Sequence, residues 1–157
     1  MSEPTHGGAA LSLLCRAGTL VCALPLPHVI ETMRPLPIRP LGGTPPFVLG
    51  LSIIRGEPVP VVDAGLLFDP STSAGTGRFV TIRCGNRVAA VAVEEVLGVR
   101  GLDASSVGPL PPLLDRIEPG VIALIGSLDA SLLVVLRDGR IVPATVWDAI
   151  AGQAANP

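Results

Sequence analysis

The chain has 157 residues, 48% of them hydrophobic and 15% charged, with a formal net charge of −2 at pH 7. That balance is too apolar for a disordered chain and sufficient for one domain, or two very small ones, built around a core. All 11 basic residues are arginine, and three Phe, one Trp and no Tyr are present, so neither a basic stripe nor a base-stacking platform points to nucleic acid.

In chain order, residues 1–10 (MSEPTHGGAA) read as a flexible tail, without the basic-then-apolar pattern of a signal peptide. Short β-type runs follow: LSLLC (11–15), LVCAL (20–24), VLGLSII (48–54), PVPVVD (58–63), RFVTIR (78–83), RVAAVAV (87–93), GVIALIG (120–126) and SLLVVL (131–136). Turn chemistry separates them in RAGT, RGEP, RCGN and SLDA. The 18 Gly and 17 Pro therefore act as punctuation in a structure of many short elements. The pattern predicts an all-β sandwich or barrel. PHVIETM (27–33) and VEEVLG (93–98) fit either a helical turn or an irregular strand. RDG (137–139) is a hairpin candidate that would turn LLVVL back onto RIV. PATVWDAIAG (143–152) is the best helix candidate, with Pro143 at the tolerated first position. The folded part is expected over 11–150, with a second tail at 151–157. No apolar run is long enough to cross a bilayer without Pro, Gly or charge, so membrane insertion is not expected.

DPSTSAGTG (69–77) reads as a connector between comparable halves, and a weak repeat relates them. Shifted by 67 residues, CRAGTLVCALPLPHV (15–29) lies over IRCGNRVAAVAVEEV (82–96), with Arg16 on Arg83, Gly18 on Gly85, Val21 on Val88, Ala23 on Ala90 and Val29 on Val96. At a shift of 70, GLSIIRG (50–56) lies over GVIALIG (120–126), and an apolar strand follows each. The shared order of elements implies two similar β units, each too small to bury its own core well. Where the first half has Arg55, the second has Ile125.

The search for chemistry returns little. Cys15, Cys22 and Cys84 are odd in number, form no C-x-x-C and lie in or beside apolar runs, as buried thiols of a reducing cytoplasm do. His6 and His28 join no cluster with ligand spacing, so no metal and no cofactor are expected. Glu94 and Glu95 are adjacent and point opposite ways in an extended chain, as a solvated pair does. VVDAG (61–65) is similar to the Asp-Thr/Ser-Gly turn of aspartic proteases, which would require a dimer to supply a second carboxylate. Ala64 stands in place of the bracing hydroxyl residue, and the plainer reading of Asp63 is a strand-ending acid. Arg55 lies before Gly56 in a tight turn, where it is either a solvated turn arginine or a docking residue whose planar fork suits carboxylates and carbonyls. Glu31, among Val29, Ile30 and Met33, is either the wet edge of a core element or the rim of a binding groove.

PPFVLGLSIIRGEPVPVVD (45–63), LPLPHVIETM (24–33) and RFVTIRCGNRVAAVAVEEVLGV (78–99) together resemble the CheW-like family, adaptor domains of bacterial chemotaxis arrays. The likeness runs from about Leu11 to Ile150. Ser52 and Pro58 depart from it, standing where the family more often has apolar residues. The resemblance implies two five-stranded SH3-like β-barrels sharing a core and no catalysis. It implies a scaffold at membrane-associated arrays in the cytoplasm, coupling the helical tip of a chemoreceptor to the regulatory domain of a CheA-type histidine kinase. The same module in a motility or pili system is an alternative. Transferred to matching positions, Val29, Glu31 and Arg55 would belong to the receptor-facing or conformationally linked surface.

Overall fold

The computed structural model describes residues 10–69, 71, 73, 75–102, 107–109, 122–128, 131–136 and 141–155. The chain begins with a hairpin of β1 (Ala10–Ala17) and β2 (Leu20–Pro25). A 3-10 turn at Leu26–His28 leads into β3 (Val29–Met33), then β4 (Val48–Ile54), β5 (Glu57–Asp63) and the short helix α1 (Ala64–Phe68). Next come β6 (Arg78–Cys84), β7 (Arg87–Val93), β8 (Glu95–Leu102), β9 (Val107–Pro109), β10 (Ile122–Leu128), β11 (Ser131–Leu136) and the terminal helix α2 (Ala144–Ala155). Seven of the eight runs read from the sequence lie wholly in strands, and the described part of GVIALIG, from Ile122, lies in β10. PHVIETM resolves into the 3-10 turn and β3, and VEEVLG into the end of β7 and the start of β8. The RDG hairpin lies outside the described residues. α2 continues to Ala155, and the carbonyl of Pro143 accepts from the Val146 N–H at 3.0 Å, so this proline precedes the helix.

The strands form two sheets, one ordered β3-β6-β7-β5-β4 and the other β8-β1-β2-β11-β10-β9. The expected all-β, two-sheet architecture is present. The second sheet has six strands rather than five, because the three-residue β9 adds to the edge of β10. Both sheets are wired alike. Each holds an edge strand, an antiparallel hairpin, then a strand parallel to the hairpin's second member, β5 beside β7 and β11 beside β2. The hairpins that the repeat superimposes, β1–β2 and β6–β7, occupy equivalent places. Each turns through two residues with glycine first, Gly18 at φ 65° and Gly85 at φ 67°, a conformation glycine adopts without steric cost. The first sheet is built from the continuous segment 29–93, while the second joins residues 10–25 to strands that start at Glu95. The chain passes between sheets at Leu26–His28 and at Glu94. α1 is followed in chain order by β6, so the 69–77 segment begins and ends within the first sheet's stretch of chain.

Burial explains why the strands read as continuous apolar runs instead of alternating ones. Along β7, Val88, Ala90 and Ala92 face a cluster private to the first sheet, with Ile54, Val59, Val61 and Phe79. Ala89, Val91 and Val93 face a larger layer shared by both sheets. β2 divides in the same way, Val21 and Ala23 into a private cluster with Leu14 and Leu102, Cys22 and Leu24 into the shared layer. Sheets covered on both faces produce such sequences. Helices α1 and α2 enter the shared layer through Leu67, Phe68, Val146 and Ile150, and Trp147 packs beside it with the Arg87 guanidinium 5.0 Å from its ring centre. Cys15, Cys22 and Cys84 are all buried in that layer. Hydrogen bonding to Cys15 and burial push the Cys22 thiol up, the state of an unreactive core cysteine.

The first sheet curls until its two edges meet. Arg39, in the chain between β3 and β4, exchanges backbone hydrogen bonds of 2.7 and 2.8 Å with Leu51 on β4. Ser52, 1% exposed, donates its hydroxyl to the Pro37 carbonyl at 2.8 Å. That bond accounts for a polar residue at a position where the resemblance leads one to expect an apolar one.

Candidate functional site

The β4–β5 hairpin closes on the pair Ile54 and Glu57, leaving Arg55 and Gly56 as a two-residue turn. Both have positive φ, 54° and 81°. This is the backbone sense of a type I′ turn, which normally takes Asn, Asp or Gly at its first central position. Arg55 is the one non-glycine residue with positive φ among those described. Glycine, which has no Cβ, would relieve that strain, so an arginine held there directs attention to what its side chain does.

The guanidinium grips Glu31 with two parallel hydrogen bonds, Nε to Oε2 at 2.9 Å and Nη2 to Oε1 at 2.8 Å. β3 and β4 are opposite edges of the sheet in strand order, so this pair spans the seam where the curled sheet meets itself. Glu31 is aimed by its own strand. A β-bulge between Val29 and Glu31 interrupts the β3–β6 ladder, and bulges re-aim the side chains beside them. Thr81 on β6, 1% exposed, then fixes the backbone, accepting from the Glu31 N–H at 3.2 Å and donating to the Glu31 carbonyl at 3.3 Å. The Glu31 side chain is 29% exposed and that of Arg55 75%. Hydrogen bonding to the Arg55 guanidinium holds the Glu31 carboxyl below the usual carboxylate range, and the carboxylate pushes Arg55 up in turn.

A groove of about 190 Å³ lies beside the pair, lined by Ile30, Glu31, Ile54, Arg55, Glu57, Val59, Thr81 and Val88. Two prolines alternate with its β5 residues Glu57 and Val59. With Ile54 and Glu57 as the closing pair, residues 57, 59 and 61 direct their backbone N–H toward β4, so the nitrogens of Pro58 and Pro60 face β7. Proline has no proton to donate. Parallel pairing of β5 with β7 accordingly starts only at Val61 and Ala90. Glu57, Val59 and Val88, which precede that point on the two strands, line the groove.

Of the residues singled out from the sequence, Glu31 and Arg55 come together and Val29 does not join them. Val29 is half-buried and packs against the shared layer. Asp63 is 1% exposed and has structural work. Its Oδ1 accepts from the Leu66 N–H at 2.9 Å as the cap of α1, and its Oδ2 accepts from the Ser73 hydroxyl at 2.7 Å. Glu95 lies 3.6 Å from Arg16 on the surface. Among the described residues, no group of three or more His, Cys, Asp or Glu is placed to hold a metal ion, and no helix is long and apolar enough to cross a membrane. The sequence reading missed Glu57, Thr81 and Val88, although alternate prolines inside a strand, PVP at 58–60, signal interrupted pairing.

Two sheets share one apolar layer, and the first of them curls and carries a charged clasp beside a groove. The profile of the CheW-like domain matches residues 12–145; the chain belongs to the CheW-like domain family. It is 36% identical over 101 residues to the protein FrzA of Myxococcus xanthus, covering 62% of each chain. It is 24% identical over 103 residues to the chemotaxis protein CheW of Klebsiella aerogenes, covering 61% of this chain and 59% of that one. Each match thus spans about three fifths of the relative's own length. The crystal structure of the scaffolding protein TtCheW from Thermoanaerobacter tengcongensis superimposes with a TM-score of 0.72 at 20% identity, covering 88% of this chain and 95% of that one.

Proposed function

We propose that this chain is a cytoplasmic scaffold coupling the helical tip of a chemoreceptor to the regulatory domain of a CheA-type histidine kinase, without catalytic activity of its own. The observation that carries the reading is the Glu31–Arg55 clasp, held on a left-handed turn beside an apolar groove in a member of this family. A strained backbone maintained around an exposed ion pair contributes little to stability, since surface pairs are screened and entropically costly. Such a pair is better suited to setting the register of an incoming helix, whose apolar face supplies most of the binding. Exposed Ile30 and Ile53 flank the clasp, and exposed Leu11, Leu97 and Val99 offer further apolar surface on β1 and β8.

Arg55→Ala tests the reading. Binding of a receptor cytoplasmic fragment from the same genome, followed by calorimetry, should weaken at least about tenfold, while the melting temperature stays unchanged. Unchanged affinity with a lowered melting temperature would make the clasp a purely structural device.

A further inference from the structure

The clasp leaves one charge of the groove unanswered. Glu31 and Arg55 neutralise each other, but Glu57, exposed at the start of β5, makes no ion pair among the described residues. The rim therefore carries one excess negative charge around walls made by Ile30, Ile54, Val59 and Val88. At about 190 Å³ the groove falls below the roughly 300–1,000 Å³ of small-molecule sites and suits a single side chain. Along β4 an extended peptide meets a ladder that is already partly occupied. The outer edge of β4 is already bonded to Arg39, and the chain along it carries Pro35, Pro37 and Pro40, which lack N–H groups. A helix needs only the slot and the rim.

We infer that the slot takes one leucine-sized aliphatic side chain from an amphipathic helix that carries a lysine or arginine one turn away, with that cation set against Glu57. Residues three or four apart on a helix lie on one face, so a single helical turn presents both groups together. The inference rests on the receptor-helix reading above and names which part of such a helix this site selects. Glu57 is then a specificity-determining residue. It adds little affinity for a helix lacking the cation and disfavours one carrying an acid there, by like-charge juxtaposition.

The test uses the full chain with two probes, the receptor cytoplasmic fragment and the regulatory domain of the CheA-type kinase from the same genome. Val88→Phe fills the slot from its β7 wall, and Glu57→Lys reverses the rim. Both should weaken the receptor fragment, Val88→Phe by at least about tenfold, with kinase affinity held within about twofold. The Glu57→Lys loss should be recovered by a receptor fragment whose slot-adjacent cation is changed to glutamate. Fluorescence of Trp147, the single tryptophan, monitors folding. If Val88→Phe lowers the melting temperature, Glu57→Lys and Ile30→Asp, the latter at a residue 41% exposed, decide the matter in its place. A wild-type chain that binds neither probe removes the scaffold reading itself. Receptor binding unaffected by the variants leaves the scaffold reading in place and overturns the slot. Loss confined to the kinase domain, or to self-association of this chain, overturns the helix as occupant.

Discussion

Replacing Asp63 by alanine separates a structural acid from a catalytic one. The carboxylate caps α1 through the Leu66 N–H at 2.9 Å and anchors the 69–77 connector through Ser73 at 2.7 Å, and the residue is 1% exposed. Loss of a cap costs about 0.5–2 kcal/mol, and loss of a hydrogen bond to a charged group costs about 1.5–3 kcal/mol. Because the two bonds share one side chain, a total of roughly 2–4 kcal/mol is expected. For a chain of this size that lowers the melting temperature by roughly 4–16 °C, read by circular dichroism or Trp147 fluorescence. Asp63→Asn keeps the capping oxygen, and the Ser73 hydroxyl can turn to accept from the new amide. Its loss should be less than half as large, with partner binding retained. A melting point for Asp63→Ala within about 2 °C of the parent would refute the reasoning, as would an Asn variant as damaged as the Ala variant. A pepstatin-sensitive peptidase activity abolished by Asp63→Asn would assign the residue to chemistry instead.

Gly50 sits on β4 at φ 144°, and a Cβ there would overlap the Arg39 carbonyl oxygen. Gly50→Ala should force apart the Arg39–Leu51 bridge that closes the seam and destabilise the fold by roughly 3–5 kcal/mol, measured by urea denaturation. A variant as stable as the parent would show that the seam is not a fixed closure. The Glu31 carboxyl should titrate by carbon NMR below the ordinary value of about 4.3, returning toward it in Arg55→Ala. With the folded value depressed, the stabilisation is present above the unfolded value and lost as pH falls through the folded one. The clasp should therefore be intact at neutral pH, and a Glu31 midpoint indifferent to Arg55→Ala would show that it does not form in solution.

The strands were legible because Val, Ile, Leu and Ala runs end at glycine and proline turns. Their partners were not. β2 and β11 lie side by side although Leu20 and Leu132 are 112 residues apart (132 − 20), and a strand buried on both faces carries no alternation to say which face meets which neighbour. The connector at 69–77 is conspicuous in composition, yet the chain changes sheets at Leu26–His28 and Glu94, where short, ordinary residues leave no mark. α1 went unseen because its five residues are set by the Asp63 cap and not by apolar periodicity. Arg55 stood out beside Gly56. Its partner depended on a bulge at Ile30 that turns Glu31 toward it, and no local pattern announces a bulge.

The division of the chain between sheets has a consequence for its synthesis. The five-stranded sheet is complete once Val93 has left the ribosome, so its private core can form while the rest is being made. The hairpin made first must wait. β2 has no parallel neighbour until β11 appears 112 residues later, roughly 6–22 s at ordinary rates of translation. During that interval Val21, Cys22, Ala23 and Leu24, all buried in the finished protein, are shielded only by what has already folded. The five-stranded sheet offers Cys22 and Leu24 its half of the shared layer, the surface against which they finally rest, and so serves as template for its own sister sheet.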